Sequence, residues 1–282
     1  MSDGAPIVIG ALGGSGTRVA AQALIDSGAY LGSTFNRAHD NLVFTALFKR
    51  PRWLVEAGDP AVHRQLDTFV RHMQGRRYGP GDYGRLASSL VGHDPEVDLR
   101  ESARRVLAAV RSRPPRRLTG DRLWGWKEPN SHVYLPQLID HFPGMRFVYV
   151  ARHGLDMAYS RNKTQLHMWG PRFGVAPPAD VAAAPAAQLD YWIAATRRAA
   201  ELGGERLGDR FLFLRYDDMC RAPEAELQRL LEFARLPCDD AIAGRLAAGV
   251  RPPGSIGRWR AHAEEFAPEQ LAAVESFGFE VR

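Results

Sequence analysis

Lysine is scarce in this chain: of 37 basic residues only Lys49, Lys127 and Lys163 are lysines, so chemistry that needs an ammonium group has few candidates. Cysteine is scarcer still. Cys220 and Cys238 form no CxxC pair and match no histidine spacing, which argues against a zinc site and against a disulfide framework. No run approaches the roughly 18 consecutive apolar residues of a membrane span. The N-terminus, MSDGAPIVIG, has no basic segment before its short apolar run, unlike an export signal. These absences lead us to expect a soluble, unexported protein of a reducing cytoplasm, with no stable membrane insertion. Acidic excess is also missing: the formal net charge is +5, which favours anionic partners without choosing among nucleic acid, phosphate and sulfate.

Hydrophobic residues make up 45% of the 282, enough for one sizeable core. The first element is PIVIGAL (6–12), a β-branched apolar run expected to form a buried parallel strand. A glycine-rich turn follows, and then RVAAQALIDSGAYLG, apolar at helical spacing, with Gly28 as its stop. Strand, glycine loop and helix make the opening unit of a nucleotide-binding α/β domain. Further strands are expected at RLWGWK (122–127), MRFVYVAR (145–152) and FLFLRY (211–216), with a polar helix, GLDMAYSRNKTQ, directly after the second of these. Arginine-, glycine- and proline-rich stretches at 72–84 and 111–117 flank a helix expected from Asp98 to Val110. Together they read as a helical insertion over about residues 36–118. Residues 170–185 read as an exposed loop or lid, followed by a long amphipathic helix. PEAELQRLLEFARL is another helix, and a closing one starts near Pro268. The expected fold is a single α/β domain over 1–282, with a parallel β-sheet of about five strands flanked by helices.

Four features can carry chemistry. The loop GALGGSGTR (10–18) stands where backbone amides and a helix N-terminus can surround a phosphate. That makes Gly13, Gly14, Ser15, Gly16, Thr17 and Arg18 candidate anion ligands. The loop is not Walker A, which needs a lysine where Thr17 stands, and it is not GxGxxG; a plain connecting turn is the alternative. Arg152 ends a strand, and Asp156 and Ser160 follow at i+4 spacing. Arginine and serine leaving one strand edge can converge on a second phosphate, whereas the competing reading pairs Arg152 with Asp156 alone. Lys127, in GWKEPN, can stabilise charge on a transferring group, or it is a solvated surface charge. In GSIGRWR, Gly257, Arg258 and Arg260 surround Trp259. That mixture suits an adenine nucleotide with an extra phosphate, and equally a packing tryptophan between solvent-facing arginines.

With these motifs in place, the sequence resembles the sulfotransferases that use 3′-phosphoadenylyl sulfate (PAPS), over most of the chain and in the family's order. PIVIGALGGSGTR resembles the 5′-phosphosulfate loop, and FVYVARHGLDMAYS the 3′-phosphate motif with Arg152 and Ser160. FLFLRYDDMCRAPEAELQRLLEFARLP is similar to the stretch whose tyrosine, here Tyr216, lies near adenine. GSIGRWR resembles the loop that closes over the nucleotide, and WGWKEP the lysine-proline element of bacterial members. The resemblance implies a P-loop-NTPase-like sulfotransferase fold and PAPS as co-substrate, with no metal required. It also implies in-line transfer of a sulfuryl group to a hydroxyl or amine of a small-molecule, glycan or lipid acceptor. Two positions depart from the family pattern. Gly14 stands where many members have Lys or Arg, so the missing charge falls to Lys127 or Arg18, with Lys127 preferred. His153 stands where aspartate is frequent, and binding of the 3′-phosphate should survive that change.

The base that takes the acceptor proton stays open among several groups. Asp40 and His39, in FNRAHDN, come first because that segment follows the opening βα unit. Glu128 comes next, with His132 and His167 behind it. NRAHDNLVFTALFKR and LHMWGPRFG are candidate acceptor walls. Three rival readings stand beside this one. A P-loop small-molecule kinase lacks its lysine here, and Asp217 and Asp218 belong to the RYDD motif. A non-catalytic nucleotide- or polyanion-binding protein draws its support from Gly14. A nucleic-acid binder would need a recognisable motif, and the arginines are instead dispersed along the chain.

Overall fold

The computed structural model describes residues 4–91, 100, 103–104, 106–107, 111, 122–180, 184–262 and 266–282. Most of the expected Asp98–Val110 helix and nearly all of the 111–117 stretch lie outside the described residues.

Four parallel strands, β1 (Ile7–Gly10), β2 (Gly125–Lys127), β3 (Arg146–Ala151) and β4 (Phe211–Arg215), form one sheet in the order β2-β1-β3-β4. Their side chains alternate between two apolar layers, as the period of two in a strand requires. Val8, Phe147 and Tyr149 face one layer, while Ile7, Ile9, Val148 and Val150 face the other. Burial on both faces explains why these strands read as continuous apolar runs in the sequence.

The sheet has four strands among the described residues rather than about five. Where a further strand would flank β2, Tyr30 makes a single parallel bridge to Trp124. Gly28 and Gly32, at φ 98° and 125°, turn the chain away on either side of it.

The helix α1 (Thr17–Asp26) covers one layer, together with α11 (Pro223–Ala234), through Leu24, Leu227 and Leu230. Between α1 and β2 the chain forms α2 (Leu42–Phe48), α3 (Pro51–Glu56), α4 (Asp59–Met73) and α5 (Pro80–Val91). These helices are not a detached lobe. Phe44 of α2 stacks on Trp126 of β2 at 5.3 Å and meets Phe69 of α4 edge-on at 5.2 Å, so the inserted helices complete the layer under the sheet.

After β2 come a 3₁₀ turn (Pro129–Tyr134) and α6 (Leu135–His141). After β3 come α7 (Gly154–Ala158) and α8 (Thr164–Trp169). The single polar helix expected over 154–165 is thus two helices, and the first is wholly buried. Local side-chain bonds break it: Asn162 N donates to Ser160 Oγ (3.2 Å) and Thr164 N to Asn162 Oδ1 (3.2 Å), offering the backbone an alternative to the helix.

The expected lid opens with a 3₁₀ turn at Gly170–Phe173, and the long α9 (Ala184–Arg206) follows it. Further helices are α10 (Tyr216–Arg221), α12 (Asp240–Ala247) and α13 (Pro268–Ser276), with a 3₁₀ turn at Arg258–Ala261. Among the described residues no helix is long and apolar enough to cross a membrane.

Candidate functional site at the carboxyl edge of the sheet

Because all four strands run parallel, their carboxyl ends share one edge, where open α/β sheets place their ligands. Ile9 pairs with Lys127, Gly10 with Tyr149, and Ala151 with Arg215. The residues next along each chain are therefore the glycine loop, Glu128, Arg152 and Tyr216.

The glycine loop has the geometry of a phosphate cradle. Gly14 and Gly16 have φ of 97° and 86°, a region that favours glycine. A Cβ at Gly16 would lie 2.1 Å from the Tyr216 ring, so the first turn of α1 sits directly against that tyrosine. The 10-residue α1 has no side-chain cap and no acidic residue in its first turn, which leaves its positive end for an outside anion. Ser15 and Thr17 are buried, while Gly14 and Arg18 are exposed.

Past β3, Arg152 is buried, its Nη2 donates to Ser255 Oγ (2.8 Å), and its Nε has no partner. Its approach to Asp156 is loose, at 3.8 Å. The fully buried Asp156 serves the C-terminal loop instead. Its carboxylate accepts from Gly257 N (2.9 Å) and Trp259 N (3.3 Å), and its carbonyl from Arg258 Nε (3.0 Å) and Nη2 (2.6 Å). That clamp brings Arg258 towards Arg152. Burial first, and then the Arg152 charge, push the Arg258 guanidinium below its usual pKa range. Burial and Arg258 do the same to Lys163. Arg152, Arg258 and Lys163 outnumber the two carboxylates that face them, Asp156 and Asp217, and that excess of positive charge suits an anion. Ser160 lies in the bend after α7, half-buried, rather than on a helix four residues beyond Asp156.

His153 is a neutral strut. It stacks on Trp259 at 5.1 Å, and its Nε2 donates to the Glu280 carbonyl (2.6 Å) while its Nδ1 accepts from Leu155 N (3.3 Å). Burial lowers its pKa. Tyr216 faces the Arg152 and Arg18 charges, yet burial and Cys220 hold its phenol up at about 12.

At the end of β2 the Lys127 ammonium, 2% exposed, donates to Ala38 O (2.9 Å) and to Asp40 Oδ1. Asp40 Oδ2 accepts from Asn36 Nδ2 (2.7 Å), so both oxygens of that carboxylate are engaged. His39 sits at φ 62°, its Nδ1 buried without a partner. Burial, then Lys127 and Arg18, lower its pKa.

Glu128 differs from Asp40. Burial and the nearby Asp40 charge raise its pKa to about 7 against the pull of Lys49, Lys127 and Asn130. One oxygen accepts from Asn130 Nδ2 (2.9 Å) and the other has no partner. His132 is buried, held neutral with its pKa at about 4 by desolvation, and stacks on Phe173 at 5.7 Å. His167 is exposed on α8.

The structure thus gathers the glycine loop, Lys127, Glu128, Asp40, His39, Arg152, Arg258 and Tyr216 along one edge. It adds three residues that the sequence did not single out for the site: Lys49, which faces Glu128, Ser255 on Arg152, and Gln165, whose carboxamide lies 3.3 Å from where a Gly13 Cβ would be. Lysine scarcity could have flagged Lys49, whereas nothing local marks the other two. A cavity of about 750 Å³ opens beside α1, lined by Arg18, Gln22, Arg37, His39 and Arg245 among others. A second, of about 450 Å³, lies behind the C-terminal loop against His153, Asp217 and Arg260. Among the described residues no group of three or more His, Cys, Asp or Glu side chains converges as a metal site.

Comparison with known proteins gives this edge a context. A solved sulfotransferase domain from the Synechococcus PCC 7002 olefin synthase is 16% identical with a TM-score of 0.49, covering 99% of this chain and 98% of that one. A sulfotransferase from Alicyclobacillus acidocaldarius is 14% identical, TM-score 0.45, covering 98% and 96%. Retinol dehydratase, solved with androsterone and the inactive cofactor PAP, is 12% identical, TM-score 0.39, covering 96% and 79%. No curated protein sequence is significantly similar. The profile of the sulfotransferase family matches residues 6–240, a stretch that begins one residue before β1 and takes in the glycine loop, Lys127, Arg152 and Tyr216. The chain therefore belongs to the sulfotransferase family.

Proposed function

We propose that this protein moves a sulfuryl group from PAPS to an acceptor hydroxyl or amine by in-line displacement, releasing adenosine 3′,5′-bisphosphate (PAP). The observation that carries the reading is the pairing of two cationic centres on one sheet edge. The glycine loop lies beside Lys127, and Arg152 with Arg258 lies beyond it, near Ser255. The unpartnered Arg152 Nε and the open first turn of α1 fit a ligand with a phosphate at each end. Gly13, Gly14, Ser15, Gly16, Thr17 and Arg18 would hold the 5′ end, and Arg152, Ser160 and Arg258, with Gly257, the 3′-phosphate. Tyr216 would lie near the nucleoside.

With Gly14 in the glycine loop, charge developing on the transferred group falls to Lys127, whose ammonium Asp40 and Ala38 orient. Asp40, with both oxygens engaged, positions that lysine rather than taking the acceptor proton, and His39 shapes the same loop. We assign the proton to the free oxygen of Glu128, which titrates near neutrality beside the lysine. The chain would act as one domain in the cytoplasm on a small-molecule, glycan or lipid acceptor, without nucleic acid and without a metal.

A non-catalytic binder of the same ligand is the second reading, favoured by Gly14. Calorimetry with PAP, adenosine 5′-phosphate and magnesium-ATP is the test. Binding that depends on the 3′-phosphate and not on magnesium supports the donor assignment. Preference for magnesium-ATP supports a kinase, and PAP binding without turnover on any acceptor supports the binder.

A further inference from the structure

One side chain closes the turn between Phe35 and Asn41. Asn36 Oδ1 accepts from Ala38 N and from Asp40 N (2.9 Å each), and its Nδ2 donates to Asp40 Oδ2 (2.7 Å). The backbone of the same residue joins in, with Asn36 N donating to Asp40 O (3.3 Å) and His39 N to Asn36 O (3.0 Å). Phe35 and Asn41 form an antiparallel bridge across the ends of the turn. Inside this frame His39 takes a φ of 62°, which a non-glycine residue keeps only where its surroundings hold it.

The groups that Asn36 fixes are the two that hold Lys127. The ammonium donates to Ala38 O (2.9 Å) and to Asp40 Oδ1. Ala38 O belongs to the peptide that joins Ala38 to His39, so the left-handed φ of His39 takes part in turning it towards the lysine. The main chain of Lys127 is tied to the same segment, since Asn41 N donates to Lys127 O (2.8 Å). A lysine stem is flexible, so its acceptors decide where the ammonium stands.

Closing the turn needs only Asn36 Oδ1, as in any turn of this kind. The bond from Nδ2 to Asp40 Oδ2 does something further. A carboxylate held at one oxygen can swing about its Cβ–Cγ bond, and Asn36 holds the second oxygen while the first is on Lys127.

Resting on the sulfotransferase reading above, we infer that Asn36 is a positioning residue for the transfer. It sets Ala38 O and Asp40 Oδ1 as a fixed pair of acceptors, and that pair directs the third ammonium hydrogen of Lys127 at the group in transit. Asn36 itself touches neither donor nor acceptor in this role. Gly14 makes the arrangement matter, because the charge absent there falls to one lysine whose orientation must be set from outside the glycine loop.

The scarcity of lysine supplies the probe. The full chain labelled with ¹³C at the lysine ε carbons gives signals from Lys49, Lys127 and Lys163 alone, and Lys127→Met identifies the second. A pinned side chain gives its two ε protons separate shifts, whereas a freely turning one averages them. In the wild type the Lys127 pair should be separate. Asn36→Ala should merge it, with the Lys49 and Lys163 signals and the Kd for PAP unchanged. Release of PAP from PAPS, with water or 2-naphthol as acceptor, should then fall about thirtyfold in kcat with little change in the KM for PAPS, the cost of misplacing a catalytic group.

Asn36→Asp keeps the acceptor that closes the turn but replaces the amide nitrogen, 2.7 Å from Asp40 Oδ2, with a carboxylate oxygen. Two such carboxylates cannot both ionise, and on acidification a shared proton takes the place of the amide hydrogen. Among the described residues the charged and titratable groups facing Asp40 are Lys127 and Glu128 at the end of β2 and His39 in the turn. Comparison with wild type at matched pH removes their own titration. On that comparison the kcat and the Lys127 splitting of Asn36→Asp should be lost at about pH 8 and recover towards about pH 6.

A Lys127 pair already averaged in the wild type overturns the inference. So does a pair that stays separate, or a kcat that stays within about threefold of wild type, in Asn36→Ala, and so does a loss in Asn36→Asp that ignores pH. Should the Lys49 and Lys163 signals also move in Asn36→Ala, the matched-pH comparison of Asn36→Asp decides. Failure of PAP to bind the wild type overturns the sulfotransferase reading itself, and PAP binding without any turnover removes the role in transfer.

Discussion

Lys127 and Asp40, 87 residues apart in the chain, form an ion pair at the mouth of the glycine loop, with the lysine side chain 2% and the aspartate 19% exposed. A second hydrogen of the ammonium goes to Ala38 O, which leaves the third for a ligand. Lys127→Met should lower kcat by roughly 10²- to 10³-fold, the usual cost of losing one donor to developing charge, while PAP affinity changes far less. Steady-state kinetics set against calorimetry decide this; a change confined to KM would move the lysine out of the chemistry. Asp40→Ala should destabilise the protein by less than the roughly 3–5 kcal/mol of a fully buried broken pair, read by urea unfolding.

Arg152→Ala should weaken PAP binding by about 1.5–3 kcal/mol, the loss of a hydrogen bond to a charged group, and leave adenosine 5′-phosphate binding nearly unchanged. Equal losses for both ligands would place the arginine away from the 3′-phosphate.

As the proposed base, Glu128 would tie activity to pH. With its pKa at about 7, kcat/KM should rise as pH increases through 7 and then level off, because the base acts when deprotonated. Stability moves the other way. Its folded pKa lies above the unfolded value, so its contribution is present below about pH 4.5 and is lost as pH rises through about 7, a swing on the order of 3 kcal/mol. Glu128→Gln should abolish turnover and be more stable than wild type at pH 8, with the difference shrinking towards pH 5 in denaturant titrations.

Gly16→Ala meets two obstacles, a φ of 86° and the Tyr216 ring. Gly14→Ala meets only backbone strain, since the nearest atom, a Met157 methyl, is 3.8 Å away. Gly14→Ala should therefore cost roughly 1–2 kcal/mol and Gly16→Ala clearly more, with α1 displaced and PAP binding lost. Thermal unfolding of the two variants side by side makes the comparison.

Much of this architecture is legible in the residues. The β1 run, the glycines before Thr17, and Arg152 after MRFVYVA announce themselves, because a strand buried on both faces must be apolar throughout and a left-handed turn favours glycine. The break between α7 and α8 is less visible: Ser160 and Asn162 hint at it, but FVYVARHGLDMAYS reads as strand and continuous helix. About five strands are expected and four are present among the described residues; at the free side of β2 there is only a single bridge at Tyr30, set by glycines whose turning direction the sequence does not state.

What the sequence determined alone was the parallel edge and the order along it of the glycine loop, Glu128, Arg152 and Tyr216, since strand periodicity and glycine conformational freedom are local properties. What only the tertiary structure decided was the division of labour among the charged groups on that edge. The sequence puts Asp40 of FNRAHDN ahead of Glu128 of GWKEPN as a candidate base, and folding gives the two carboxylates different surroundings. One is tied to Lys127 and Asn36, and the other is desolvated with a free oxygen and lifted towards neutrality. A carboxyl group's proton affinity depends on what surrounds it in space, and here those surroundings come from segments nearly 90 residues apart.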